Sequence, residues 1–241
     1  MQFQWLVLAV FIAAMAADHR VFWRGFERRV ELDAVQARRR LWMQWIAMFW
    51  GCSALVAALW ITRDLPLSAL GLEMPTGLRL WGPLALTAAL AGAQFSSGLK
   101  IARLPDRAPL RQRFGAAGRV LPHAASELPV FVGLALSAGF CEELLFRGFV
   151  IWLLQPLMGW WIAAIVSLAV FTLGHLYQGT EGMIRCAVLG AVMTVIVALT
   201  HSLWPAIVLH VAIDLMAGWT GWQLFREIGA TPPALEPQRP R

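Results

Sequence analysis

The chain of 241 residues is strongly apolar: 59% of its residues are hydrophobic, 14% are charged, and the mean hydropathy is +0.63. Soluble domains contain about 25% charged residues, so this composition excludes an ordinary soluble protein and predicts an all-α, polytopic bundle of transmembrane helices. The net charge of +6 comes almost entirely from arginines in two loops. Enrichment of basic residues in cytoplasmic loops explains this charge, so we expect the lipid bilayer as a partner and no nucleic acid.

Seven apolar stretches approach or exceed the length of about 20 residues that a helix needs to cross a bilayer. In chain order they are residues 3–17, 41–62, 80–99, 128–154, 160–176, 183–200 and 204–225. No Lys or Arg precedes the first stretch, as a secretory signal would require, so we expect it to be retained as a helix. The basic segment 19–40 that follows is predicted to form a helix on the membrane surface.

Two changes of composition divide the chain into three predicted regions. Residues 1–127 hold three spans and two basic loops, residues 128–225 hold the other four spans, and the Pro-rich residues 226–241 are expected to be disordered. The loops after the first and third spans carry most of the arginines. With seven spans, this asymmetry predicts an N-terminus outside the cell and a C-terminus in the cytoplasm.

Ionisable side chains interrupt the last predicted spans in three short motifs. They are Glu142, Glu143 and Arg147 in the fourth span, His175 four residues after Phe171 in the fifth, and His210 and Asp214 in the seventh. Burying such groups in hydrocarbon costs several kcal/mol unless they pair, line a cavity or do chemistry. We therefore predict that Glu142, His175, His210 and Asp214 converge on one active-site cavity, formed by the C-terminal four helices.

The helical spacing suggests different roles for these residues. Residues four apart share a face of a helix, so Glu143 and Arg147 are predicted to form a structural ion pair. Glu142 is rotated by about 100° from Glu143 and is predicted to point into the cavity as a base or ligand. Asp214 follows His210 by four residues and is placed to fix the tautomer of the imidazole.

Two chemistries stay open on this set of residues. Glu142, His175 and His210 could hold a zinc ion with an open fourth position for water. Alternatively, Glu142 and a histidine could activate water directly, while His210 and a neighbour polarise a scissile carbonyl. Both arrangements hydrolyse an amide bond.

The three motifs, in this order on successive helices, resemble the CPBP family, which comprises CAAX prenyl endopeptidases and bacteriocin-processing or immunity proteins and is also called the Abi family. The family pattern is Glu-Glu-x-x-x-Arg, Phe-x-x-x-His and His-x-x-x-Asn/Asp, and the resemblance covers about residues 128–220. It implies a multi-pass intramembrane endopeptidase, metal- or glutamate-dependent, in a bacterial inner membrane. Its substrate would be a membrane protein or a lipidated or hydrophobic peptide, cleaved near its membrane-associated end.

The resemblance also implies that Glu142 activates water with His175, and that His210 with Asp214 stabilises the oxyanion. Asp214 stands where the eukaryotic prenyl proteases carry Asn. Because an ionised Asp is a poor oxyanion donor, Asp214 is expected either to be protonated or to orient His210 or a metal. Two other functions stay open: a non-catalytic immunity or scaffold protein of the membrane, and a transporter or proton relay that uses the same buried groups.

Overall fold

The computed structural model describes residues 2–226, and of His19 and Arg113 only the backbone. Over this part of the chain the backbone forms helices and their connections, with no β-strand, which confirms the all-α prediction. The predicted disordered tail, residues 226–241, lies outside the described residues except for Arg226.

The helices follow one another with short connections. They are α1 (Gln2–Ala17), α2 (Arg24–Arg29), α3 (Ala34–Thr62), α4 (Leu78–Ala102), α5 (Ala108–Gly118), α6 (Leu128–Glu142), α7 (Ile151–Met158), α8 (Trp160–Gly174), α9 (Gly179–Thr200) and α10 (Trp204–Phe225). The π-helical stretches Asp18–Trp23 and Glu143–Val150 join α1 to α2 and α6 to α7. Short 3-10 turns occur at Leu67–Leu70, Ala125–Glu127 and Leu176–Gln178.

Each of the seven predicted spans is helical. Within residues 2–226, four continuous stretches are long and apolar enough to cross a membrane: Gln2–Arg29, Ala34–Thr62, Ala125–Met158 and Leu176–Thr200. The other predicted spans are the apolar 15-residue α8 and the longer, less apolar α4 and α10, of 25 and 22 residues. The protein is therefore a multi-pass integral membrane protein with about seven spans.

The basic segment 19–40 differs from the prediction, because it is not a separate surface helix. Its first part continues the first helix as far as Arg29, and from Ala34 onward it belongs to α3. Asp33 makes the break, since its side chain accepts a hydrogen bond from the Gln36 N–H at 2.9 Å and caps the start of α3.

Helix α10 is the central element of the bundle and packs against α4, α6 and α9, while α3 packs against α1 and α6. Glycines permit the closest approaches, as small residues commonly do between membrane helices. A Cβ on Gly139 of α6 would lie 2.5 Å from the Val211 Cγ2 of α10, and a Cβ on Gly218 would overlap the Phe131 ring. The contact at Gly139 lies one turn from Glu142 and beside His210, so it sets the spacing of the candidate site.

A buried ion pair connects α3 to the start of α6. The Arg38 Nε donates to the Glu127 Oε1 at 2.7 Å, and the other oxygen of Glu127 accepts from the backbone N–H groups of His123 and Ala124 at 2.7 and 2.8 Å. Because Glu127 is fully buried and has a partner at both oxygens, it fixes where α6 begins.

Candidate active site

The fourth span changes from α- to π-helical geometry at the two glutamates. Glu142 ends α6 and Glu143 begins the π-helical stretch, whose eight residues are all buried. The Ser167 hydroxyl of α8 donates to the Phe146 carbonyl at 2.7 Å, which satisfies one carbonyl of this stretch. Single π-helical turns inside α-helices are frequent at functional sites, and here the turn carries the first motif.

His210 lies between the two glutamates. Its Nδ1 is 2.8 Å from the Glu143 Oε1, and because a carboxylate accepts, the imidazole donates this hydrogen bond. On the opposite edge of the ring, Nε2 is 3.8 Å from the Glu142 Oε2 and 3.7 Å from the Asp214 Oδ2. Glu143 therefore fixes the tautomer of His210, and the expectation that Asp214 does so is corrected: Asp214 is near the other nitrogen and beyond hydrogen-bond distance.

The predicted pair of Glu143 and Arg147 is present and fully enclosed. The Arg147 Nη1 donates to the Glu143 Oε1 at 3.0 Å, and its Nη2 donates to the Gly190 carbonyl of α9 at 3.1 Å. The guanidinium carbon also lies 4.4 Å from the centroid of the Phe171 ring, a distance typical of a cation–π contact. Arg147 thus joins the π-helical stretch to α8 and α9, and the Glu143 Oε1 serves Arg147 and His210 together.

The Phe-x-x-x-His motif has a direct structural explanation. His175 follows the last residue of α8, and its Nδ1 lies 2.9 Å from the Phe171 carbonyl. A carbonyl can only accept, so Nδ1 carries the proton and Nε2 of the neutral ring is the proton acceptor. The Phe171 ring lies 4.6 Å from the ring of His175 and 6.3 Å from that of His210. Phe171 therefore packs against His175, His210 and Arg147. This role of Phe171 was not predicted from the sequence.

The four predicted catalytic residues line a single cavity of about 500 Å³. Glu142, His175, His210 and Asp214 come from three different helical stretches, and the fold brings them to one surface. The Glu142 Oε2 is buried and accepts no hydrogen bond from the described residues. The Glu142 side chain as a whole is 10% exposed and lines the cavity, so its carboxylate is within reach of a water molecule or a substrate there.

The possible zinc set of Glu142, His175 and His210 does not fit a metal ion in this arrangement. Among the residues that the structure describes, no three His, Cys, Asp or Glu side chains are gathered as ligands of one ion. We therefore derive no chemical step through a metal.

The family comparison agrees with the resemblance seen in the motifs. Residues 124–216 match the family model described as type II CAAX prenyl endopeptidase Rce1-like. This part of the chain is similar to an Rce1-like domain. The match covers less than half of the chain and includes every ionisable residue of the three motifs. No curated protein and no solved structure matches the chain.

The four predicted catalytic residues lie within residues 124–216, but other parts of the chain also form walls of the cavity. Side chains from α1, α3, α4, α5 and the stretch after α1 also line it, among them Phe11, Met15, Asp18, Trp45, Met48, Phe49, Gln94, Ser97, Phe114 and Ala117. The cavity is therefore not formed by the C-terminal four helices alone, as predicted from the sequence, and the pattern of the motifs does not point to these residues. Most of them are apolar, as helix-packing residues commonly are, and nothing in their spacing points to a shared cavity.

Proposed function

We propose that the protein is an intramembrane endopeptidase that hydrolyses a peptide bond near the membrane-associated end of its substrate. The observation that carries this proposal is the buried Glu142 carboxylate, which faces a cavity shared with His175, His210 and Asp214, all within the residues that match the Rce1-like family model. The substrate class is a membrane protein or a lipidated or hydrophobic peptide, because most of the residues that line the cavity are apolar.

Glu142 acts as the general base. Its carboxylate takes a proton from a water molecule in the cavity as the water oxygen attacks the carbonyl carbon of the scissile bond. When the C–N bond breaks, the same proton passes from Glu142 to the leaving nitrogen. His175 assists from the same cavity, since its Nδ1 is committed to the Phe171 carbonyl and its Nε2 can accept a hydrogen bond from the water.

His210 stabilises the charge that develops on the substrate oxygen. Because Nδ1 donates to Glu143, Nε2 is the atom on the side of Glu142 and Asp214, and in the imidazolium form it donates to the oxyanion. Glu143 and Arg147 hold the ring in this orientation and do not touch the substrate. Asp214 balances the charge of His210 from 3.7 Å, a role that an Asp can fill.

The test uses the purified full-length protein in detergent and a peptide that ends in a prenylated Cys-a-a-X sequence. We expect Glu142→Gln to abolish cleavage without lowering the thermal unfolding temperature, because glutamine keeps the volume of the side chain but cannot accept the proton. Glu73→Gln is the matched control, since Glu73 is exposed and outside the cavity. If both variants cleave as the wild type does, Glu142 is not the base.

Measurements on the same purified protein also distinguish an endopeptidase from a scaffold protein and from a proton relay. A scaffold or immunity protein would bind the peptide and leave it intact in every variant. A proton relay would leave it intact as well, but Glu142→Gln would change proton flux in vesicles. We also expect cleavage to survive treatment with a strong chelator, because the proposed steps use only side chains of the chain.

A further inference from the structure

We infer that Asp18 and Trp45, from the N-terminal part of the chain, are positioning residues for the segment that carries His175. The inference rests on the proposed function, because it assigns His175 a role in catalysis. Both residues lie outside the match to the family model, which begins at residue 124. Both line the same cavity as Glu142 and His210.

A hydrogen bond joins the π-helical stretch after α1 to α3. Asp18 begins the π-helical stretch after α1, and its Oδ1 accepts a hydrogen bond from the Trp45 Nε1 of α3 at 2.6 Å. Trp45 is buried, so its indole N–H needs a partner inside the protein. This bond therefore fixes the orientation of the Trp45 ring at the wall of the cavity.

Trp45 in turn contacts the segment that follows His175. The Trp45 ring packs against Tyr177 with centroids 5.4 Å apart, and Trp23 packs against the same tyrosine at 5.1 Å. Tyr177 belongs to the short turn Leu176–Gln178, directly after His175, and its ring stacks on the His175 ring at 6.1 Å. The N-terminal helices thus contact the catalytic segment through one aromatic side chain.

The other side of this turn is held by α9. The Gln178 Nε2 donates to the Tyr177 hydroxyl at 3.1 Å, and the Cys186 thiol donates to the Gln178 Oε1 at 3.6 Å. Tyr177 is therefore clamped between α9 and the pair of Asp18 and Trp45. Releasing the N-terminal half of the clamp should let the turn move, and His175 with it.

Substitutions can separate this positioning role from simple aromatic packing. Trp45→Phe keeps a ring against Tyr177 but removes the N–H donor, and Asp18→Ala removes the acceptor. Asp18→Asn keeps a side-chain oxygen and should rescue function. We expect Trp45→Phe and Asp18→Ala to lower kcat about tenfold, with KM changed by less than about twofold, because small displacements of a catalytic group lower the rate strongly.

The chain offers a matched control for the tryptophan variant. Trp50 also belongs to α3, its Nε1 donates to the Ser137 hydroxyl at 3.0 Å, and it does not line the cavity. Trp50→Phe therefore removes a comparable hydrogen bond from the same helix, and we expect it to leave kcat unchanged. All variants are compared after their thermal unfolding temperatures have been measured.

Alkylation of Cys186 gives a second measurement that does not depend on proteolysis. Cys52 and Cys141 are buried and Cys186 is partly exposed, so a maleimide in the folded protein reacts chiefly with Cys186, and Cys186→Ser identifies its signal. Local loosening of the turn exposes this thiol more often. We expect Trp45→Phe and Asp18→Ala to raise the alkylation rate about threefold or more, and Asp18→Asn and Trp50→Phe to leave it unchanged.

The two measurements distinguish the inference from the function on which it rests. If the wild type cleaves no peptide but alkylation changes as expected, the proposed function fails while the clamp on Tyr177 is supported. If Trp45→Phe matches Trp50→Phe in both kcat and alkylation, the inference is overturned. A change in alkylation with an unchanged kcat also overturns it, because Tyr177 would then move without affecting His175.

Discussion

At the scale of single residues, one oxygen atom of Glu143, Oε1, has two hydrogen-bond donors. It accepts a hydrogen bond from Arg147 at 3.0 Å and another from His210 at 2.8 Å. The pairing with Arg147 could be predicted from the sequence, because it follows from a four-residue spacing within one helix. The pairing with His210 could not, because it depends on how α10 crosses the π-helical stretch. From the sequence alone, Glu143→Gln is expected to be milder than Glu142→Gln.

The structure changes that expectation for Glu143. Glutamine at this position leaves the Arg147 charge without a counter-ion, and its amide must offer one oxygen to two donors. We expect Glu143→Gln to lower both the thermal unfolding temperature and the cleavage rate, whereas Glu142→Gln lowers the rate alone. The two variants are compared by thermal unfolding, followed by circular dichroism, and by peptide cleavage, both measured on the same samples. A Glu143→Gln protein with normal stability and normal rate would contradict the shared role.

Arg147 tests the structural part of this arrangement. Its side chain is 1% exposed and its partner is fully buried, and breaking a buried pair on one side costs about 3–5 kcal/mol. We expect Arg147→Ala to lower the amount of folded protein in the membrane, measured by quantitative immunoblotting and by melting in detergent. Arg185→Ala is the control for stability, since the same spacing joins Arg185 to Glu181 on the exposed surface. Normal abundance and normal unfolding temperature of Arg147→Ala would contradict this contribution of the pair to stability.

At the scale of helices, the site depends on how closely α6 approaches α10. An added Cβ at Gly139 would lie 2.5 Å from the Val211 Cγ2 and 2.9 Å from the Val211 backbone nitrogen, so the two helices would have to separate. Glu142 follows on the next turn of α6, and His210 precedes Val211. The position of Glu142 relative to His210 is therefore set by a residue that has no side chain.

Gly139→Ala should consequently affect both stability and catalysis. Overpacking of this kind costs about 1–3 kcal/mol, and the shift of α10 moves His210 away from both glutamates. Gly133→Ala on the same helix is the matched control, because its Cβ would meet only the Ile46 Cδ1, at 3.9 Å. Melting temperatures and cleavage rates are measured for both. Equal behaviour of the two alanine variants would show that the contact at Val211 does not set the geometry of the site.

At the scale of the whole molecule, the seven helical stretches could be predicted because membrane thickness fixes their length and apolar composition. Which helices become neighbours could not, since every span offers similar apolar surfaces and packing is decided by details such as Gly139 against Val211. For the same reason, the motifs placed Glu142, His175, His210 and Asp214 in one site, while the contribution of Asp18 and Trp45 became visible only in the structure. The π-helical stretch at Glu143 also has no counterpart in the sequence pattern.

The basic segments 19–40 and 100–127 lie on the same face of the bundle, where Arg38 pairs with Glu127. Arg119, in the loop after α5, is 3.6 Å from Glu27, and its guanidinium lies over the rings of Trp23 and Phe26. The connection between α3 and α4 contacts the start of α10 instead. There the Gly71 carbonyl accepts a hydrogen bond from the Leu203 N–H at 2.7 Å.

We expect the basic face to be cytoplasmic, because arginines are retained on that side of the membrane. The test places single cysteines at Leu32, 86% exposed within the basic segment 19–40, and at Leu67, 61% exposed in the α3–α4 connection. The protein used has its partly exposed Cys186 replaced by Ser. A membrane-impermeant maleimide should label Leu67→Cys in intact cells and Leu32→Cys only after permeabilisation. The opposite pattern would invert the orientation, placing the N-terminus in the cytoplasm. Labelling of both in intact cells would show that the two faces do not lie on opposite sides of the membrane.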